Sequence, residues 1–169
     1  MKKFLGVLFI AIFVAWGLTR IVLSINFDRF CSGYLKRAAD ANTVELAKTN
    51  LAMALSYAED KGLSSGYTSI IYRTPDEDVG FWYNNLEAAL IELDKIGADA
   101  TQLEKTNVLM KLRETLLDQG KEKISVTFPE GISVFPSNNG FAVWGFIGLL
   151  IAIAGALILT HQDRRGHRF

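Results

Sequence analysis

The chain has 169 residues, half of them hydrophobic and 21% charged, with 18 basic and 18 acidic side chains and no net charge. Nucleic-acid binding is disfavoured, because it calls for a basic excess or stripe. Three prolines and one cysteine argue against a disordered tract and a disulfide framework.

The apolar residues gather at the two ends. After Lys2 and Lys3, residues 4–25 form an apolar run broken late by Thr19 and Arg20. A membrane helix needs about 20 such residues, so 4–25 reads as a first transmembrane helix, with Arg20 snorkelling to the interface. A cleaved signal peptide ending at Ala15-Trp16-Gly17 is the rival reading, but Ile21, Val22 and Leu23 continue the run beyond that site.

Residues 141–160 carry no charge and read as a second transmembrane helix. Gly148, Ala152 and Ala156 fall four apart, as do Ala11 and Ala15 in the first span. Small residues at this spacing let helices approach closely in lipid, either span against span or between copies of the chain.

The segment 26–140 separates the spans. From Asp28 to Gly140 it has 12 basic and 17 acidic side chains, a net of −5. Lys2 and Lys3 (in 1–3) and Arg164, Arg165 and Arg168 (in the basic tail 161–169) flank the outer ends of the spans. Both termini are therefore expected in the cytoplasm and 26–140 outside it. The absence of any Asn-x-Ser/Thr acceptor fits a bacterial inner membrane.

Within 26–140 the period becomes helical. Phe27, Cys31, Tyr34 and Ala38 continue the first span's helix. Asn42 with Glu45 predicts a capping box, followed by an apolar face at Val44, Ala47, Leu51, Ala54 and Ala58. Residues 62–74 read as a long loop whose apolar residues pack back on the helices. Thr74-Pro75-Asp76-Glu77-Asp78 predicts a helix start, with a core stripe at Val79, Trp82, Leu86, Ala89, Leu93 and Ile96.

A further helix is predicted from Asp99-Gln102 through Leu103, Leu109, Met110, Leu112, Leu116 and Leu117 to Gly120. Residues 124–128 and 132–135, joined by Pro129-Glu130-Gly131, predict a hairpin or extended arm. The expected fold class is thus mainly α: two transmembrane helices flanking an extracytoplasmic helical bundle with a short β-hairpin or arm.

Candidate chemistry is sparse. The two histidines, His161 and His167, lie in the tail among arginines, so 26–140 has no histidine-based triad or metal set. Cys31 is either a small buried hydrophobe or a cross-dimer thiol. Asp76, Glu77 and Asp78 favour a helix terminus over a cation site, because consecutive helical side chains diverge. No metal or cofactor is expected.

Phe81, Trp82 and Tyr83 form an aromatic run, with Trp82 on the core stripe. Phe81 and Tyr83 would face the loop holding Tyr67, Tyr72 and Arg73, and these five are the candidate partner-binding residues. The expected function is a non-enzymatic membrane protein that presents its extracytoplasmic domain to a membrane or extracytoplasmic protein, or to another copy in a homo-oligomer, with lipid around the spans. An alternative is a ligand sensor, similar in layout to bacterial transmembrane sensory domains, but with a tail too short for an output domain. Another is an oligomeric pore or lysis protein.

Overall fold

A computed structural model describes residues 2–71, 73–97, 99–119 and 124–166, with side chains described except at Lys2, Gln119 and residues 162–166. The protein is mainly helical with one two-stranded sheet. It divides into two compact units, Met1–Ser24 with Ser137–Phe169, and Ile25–Pro136.

The first unit is a pair of long helices. Helix α1 is Lys2–Phe27 and α6, the last helix, is Asn138–Gly166. Both are long and apolar enough to cross a membrane. A soluble protein's core helix of this composition would be mostly buried. Here only 6% of the apolar window in the N-terminal helix is buried, and 17% of that in α6.

The two helices meet along a narrow antiparallel seam. A Cβ on Gly155 would lie 2.7 Å from the Gly6 carbonyl oxygen and 3.1 Å from Phe9 Cβ. One on Gly148 would meet Phe13 at 3.3 Å, and one on Gly145 would meet the Trp16 indole at 2.7 Å. The missing side chains at these glycines are what permit the approach. Trp16 also donates its indole N–H to the Phe141 carbonyl at 2.8 Å and carries the Arg20 guanidinium 5.4 Å from its ring centroid.

Beyond residue 24 the helical backbone runs on to Ala39. It passes through a π-helical turn at Asp28–Ser32 into α2, Gly33–Ala39. The wider turn brings the Gly33 N–H to the Asp28 carbonyl, and a Cβ at Gly33 would sit 2.8 Å from that oxygen. Glycine fits there because any side chain would collide with the carbonyl.

Ile25–Pro136 is built round α2, α3 (Val44–Asp60), α4 (Val79–Asp94) and α5 (Gln102–Leu116). The helices close into a ring: α3 packs on α2 and α4, and α5 packs on α2 and α4. The stripes read from the sequence supply the core. Phe27, Cys31, Ala38, Val44, Ala47, Leu51, Ala54, Ala58, Val79, Trp82, Leu86 and Leu93 are all buried, and Ala89 and Ile96 are half-buried against them. Surface ion pairs Lys48–Asp94, Lys111–Glu92 and Arg113–Asp40 link the same neighbours. Exposed pairs of this kind contribute about 0–1 kcal/mol each, so burial holds the ring together.

The helix starts differ in detail from the sequence reading. Thr43, not Asn42, caps α3 and accepts from the Leu46 N–H at 3.2 Å. Thr101, not Asp99, caps α5 in a reciprocal box with Glu104. At Thr74-Pro75-Asp76-Glu77-Asp78 the chain caps twice. Thr74 and Glu77 close a box around the 3₁₀ turn Pro75–Glu77, and Asp78 then caps α4 by accepting from the Phe81 N–H at 3.0 Å.

The expected pairing of 124–128 with 132–135 does not form. Strand β2, Ile124–Val126, pairs antiparallel with β1, Leu117–Gln119, with Leu117 opposite Val126. Residues Ile132–Val134 make a 3₁₀ turn that buries Ile132 and Val134. Leu117 accordingly leaves α5 as a strand residue, while Leu103 and Met110 of the expected apolar face are exposed. Gly120 lies outside the described residues.

The loop 62–74 is only partly packed. Leu63 and Thr68 are buried, but Ile70 is 54% and Ile71 80% exposed. Thr68 Oγ1 is buried without a hydrogen-bond partner among the described residues. Replacing Thr68 with valine keeps the shape and removes the unsatisfied hydroxyl. The expected result is a gain of about 1 kcal/mol, read as a shift of about +4 °C in the melting of this unit.

Candidate functional site

The candidate site grows from the aspartate cap of α4. Asp78 fixes the first turn, and its neighbour Phe81 is left 64% exposed while Trp82 turns inward to 6%. Trp82 donates its indole N–H to the Thr127 carbonyl at 3.0 Å, which ties α4 to the end of β2. Between these elements lies a groove of about 400 Å³. Its apolar wall is Phe81, Trp82, Leu86, Phe128 and Pro129, and Asp76, Asp78 and Asp118 also line it. Among the described residues every charged group lining this groove is an aspartate.

A second groove, of about 480 Å³, runs between the α2–α3 turn and α5. Asp40, Glu45, Lys105 and Arg113 line it, and Arg113 pairs with Asp40 at 3.3 Å. Its charges balance, so it favours neither sign of ligand.

The five candidate contact residues do not gather into one patch. Tyr67 and Arg73 stack, with the guanidinium 5.6 Å from the ring centroid. Tyr67 also forms an isolated antiparallel bridge with Asp78, so this pair adjoins the residue that caps the groove helix. Phe81 lines the groove itself. Tyr83 points to α3 and donates to Glu59 at 2.7 Å. Tyr72 lies outside the described residues. The groove's other walls, Phe128, Pro129 and Asp118, were not singled out by the sequence, because no periodic pattern links them to α4.

In the first unit, Gly148 is buried and Ala152 half-buried, while Ala11, Ala15 and Ala156 are exposed. Among the glycines, Gly6, Gly145, Gly148 and Gly155 are the ones at which a Cβ would meet the other long helix.

Two titrating groups bear on chemistry. Cys31 is fully buried, its Sγ 3.9 Å from the Ala54 carbonyl, and burial pushes its thiol up to about 12. A thiol so disposed is neutral and shielded, a core residue rather than a nucleophile. The hydrogen bond to the Glu59 carboxylate, aided by burial and by the charges of Glu59 and Glu87, raises Tyr83 to about 12. The folded value lies above the ordinary one near 10. The stabilisation is therefore whole below pH 10 and lost as pH rises towards 12. Tyr83→Phe is expected to flatten the alkaline fall in denaturation midpoint over that interval, beside the residual slope from half-buried Tyr57, which burial also raises.

Among the described residues no group of three or more His, Cys, Asp or Glu is arranged to hold a metal. No protein-family model matches the chain, and no curated protein or solved structure is significantly similar to it.

Proposed function

We propose that this is a non-enzymatic protein of a bacterial cytoplasmic membrane that crosses the bilayer twice and presents Ile25–Pro136, outside the cytoplasm, to a partner protein. The observation that carries the reading is the largely exposed apolar surface of two span-length helices, joined along a glycine seam and flanking, in sequence, a separate helical unit. At 1.5 Å per residue, 20 helical residues cover about 30 Å, the thickness of the hydrocarbon core. Lys2, Lys3, Arg164, Arg165 and Arg168 at the outer flanks favour both termini in the cytoplasm. The packing of the first span on α6 supports a retained anchor over a cleaved leader.

The domain leaves large apolar side chains in water at Phe81, Ile70 and Ile71. An exposed aromatic such as Phe81, lining an apolar groove, marks a contact surface better than scattered residues do. A photo-crosslinking amino acid placed at Phe81 or Ile71 in cells is expected to give a discrete adduct with another membrane or extracytoplasmic protein. The same probe at exposed Glu114 should give none. Equal, diffuse labelling from all three positions, or no adduct from any, would remove the reading.

A further inference from the structure

We infer that the groove between the first turns of α4 and the β1–β2 hairpin seats a cationic segment of the partner, a stretch that sets Lys or Arg next to an apolar side chain. The inference rests on the partner-presenting role proposed above and narrows it to one surface and one chemistry.

The groove combines two features that select such an occupant together. Its wall is apolar and rigid: Trp82, Leu86 and Pro129 are buried in the fold, and the Trp82–Thr127 bond pins their spacing. Phe81 stands at the opening with most of its ring in water. Covering it removes apolar surface at about 25 cal/mol per Å².

The acids come from three separate places: Asp76 from the 3₁₀ turn, Asp78 from the α4 cap and Asp118 from β1. Asp76 and Asp118 are exposed and make no ion pair among the described residues. Among the described residues no basic side chain lines this groove to neutralise them, unlike the second groove, where Arg113 already pairs with Asp40.

A bare ion would use only the acids and leave the aromatic wall uncovered. An uncharged apolar peptide would cover the wall but bring nothing to the carboxylates. Lys and Arg satisfy both, laying an aliphatic stem on the ring and carrying the charge to the rim. Rim charges of this kind act mainly on association rate and salt dependence, and the apolar contact holds the complex.

The test uses the full chain in neutral phosphatidylcholine nanodiscs, so that lipid charge plays no part. The probe is a fluorescein-labelled Gly-Lys-Phe-Lys-Leu-Lys-Gly peptide, with the same peptide carrying Glu for Lys as its control. The cationic peptide is expected to bind saturably and the acidic one not at all. Asp76→Asn with Asp118→Asn, and separately Phe81→Ala, should each weaken binding by about fivefold or more. All three positions are on the surface, and Asp78, the helix cap, is left alone.

No binding, equal binding of both peptides, or binding indifferent to these variants would overturn the assignment. Full competition by spermine with no effect of Phe81→Ala would also overturn it, leaving a surface that reads charge alone. Loss of the peptide interaction while the Phe81 and Ile71 adducts persist would sink this assignment and leave the presenting role standing.

Discussion

Trp82→Ala is expected to destabilise Ile25–Pro136 by about 3–5 kcal/mol, the cost of emptying a large buried site. Trp82 is 6% exposed, closes the ring between α4 and the β2 end, and donates the bond that anchors Thr127. The alanine variant leaves a cavity and strands the Thr127 carbonyl. Trp82→Phe keeps most of the packing and loses the hydrogen bond, so about 1–2 kcal/mol is expected there. Its neighbour Phe81→Ala should fall within about 0.5 kcal/mol of the parent, because that ring already lies in water. Urea unfolding of the full chain in micelles, followed by far-ultraviolet circular dichroism, ranks the three. A Phe81→Ala effect equal to that of Trp82→Ala would contradict the assignment of wall and opening.

The second large effect is expected at Gly155. A Cβ there would meet the Gly6 backbone oxygen at 2.7 Å, and backbone cannot move aside as a side-chain tip can. Gly155→Leu should force the helices apart, at a cost of about 1–3 kcal/mol by the usual scale of overpacking. The contact between Phe13 and Gly148 offers a direct readout. A Phe13→Cys, Gly148→Cys pair is expected to cross-link on oxidation in the parent, and about fivefold or more less when Gly155→Leu is added. Ala156→Leu, on an exposed face, should leave the cross-link intact. Buried Cys31 is not expected to compete.

Much of this architecture is written in hydrophobic period. The long apolar runs and the stripes of α3 and α4 were legible because every third or fourth residue falls on one face. Helix starts were legible to within a residue or two. Asn42, Thr43, Asp99 and Thr101 all have capping side chains, and only the backbone decides which one lies at the boundary. The hairpin was misread because Pro129-Glu130-Gly131 is a stronger turn signal than anything after Leu117, whose apolar period continues α5 unbroken. Three-residue strands carry too little alternation to compete.

The seam between the long helices shows a geometric reason of the same kind. Contacts recur at Gly6, Phe9, Phe13 and Trp16, and at Gly145, Gly148, Gly155 and Leu159, which follows a three-four rhythm. At 100° per residue, seven residues return within about 20° of the starting face, whereas eight drift by about 80°. A stripe read as Gly148, Ala152 and Ala156 therefore rotates away from the neighbour that Gly155 meets. The groove was half legible. The aromatic run on α4 pointed to it, but Asp118, Phe128 and Pro129 reach it only through tertiary packing.

The central claim is that residues 4–25 and 141–160 both cross one bilayer and leave Ile25–Pro136 on the far side from the termini. Single cysteines placed at Ile71, 80% exposed, and at Gln162 in the tail report on it directly through a membrane-impermeant maleimide. The account predicts that Ile71→Cys labels in intact spheroplasts, while Gln162→Cys labels only after the membrane is opened. Labelling of both positions before lysis, or recovery of the chain in the soluble fraction without detergent, would contradict it.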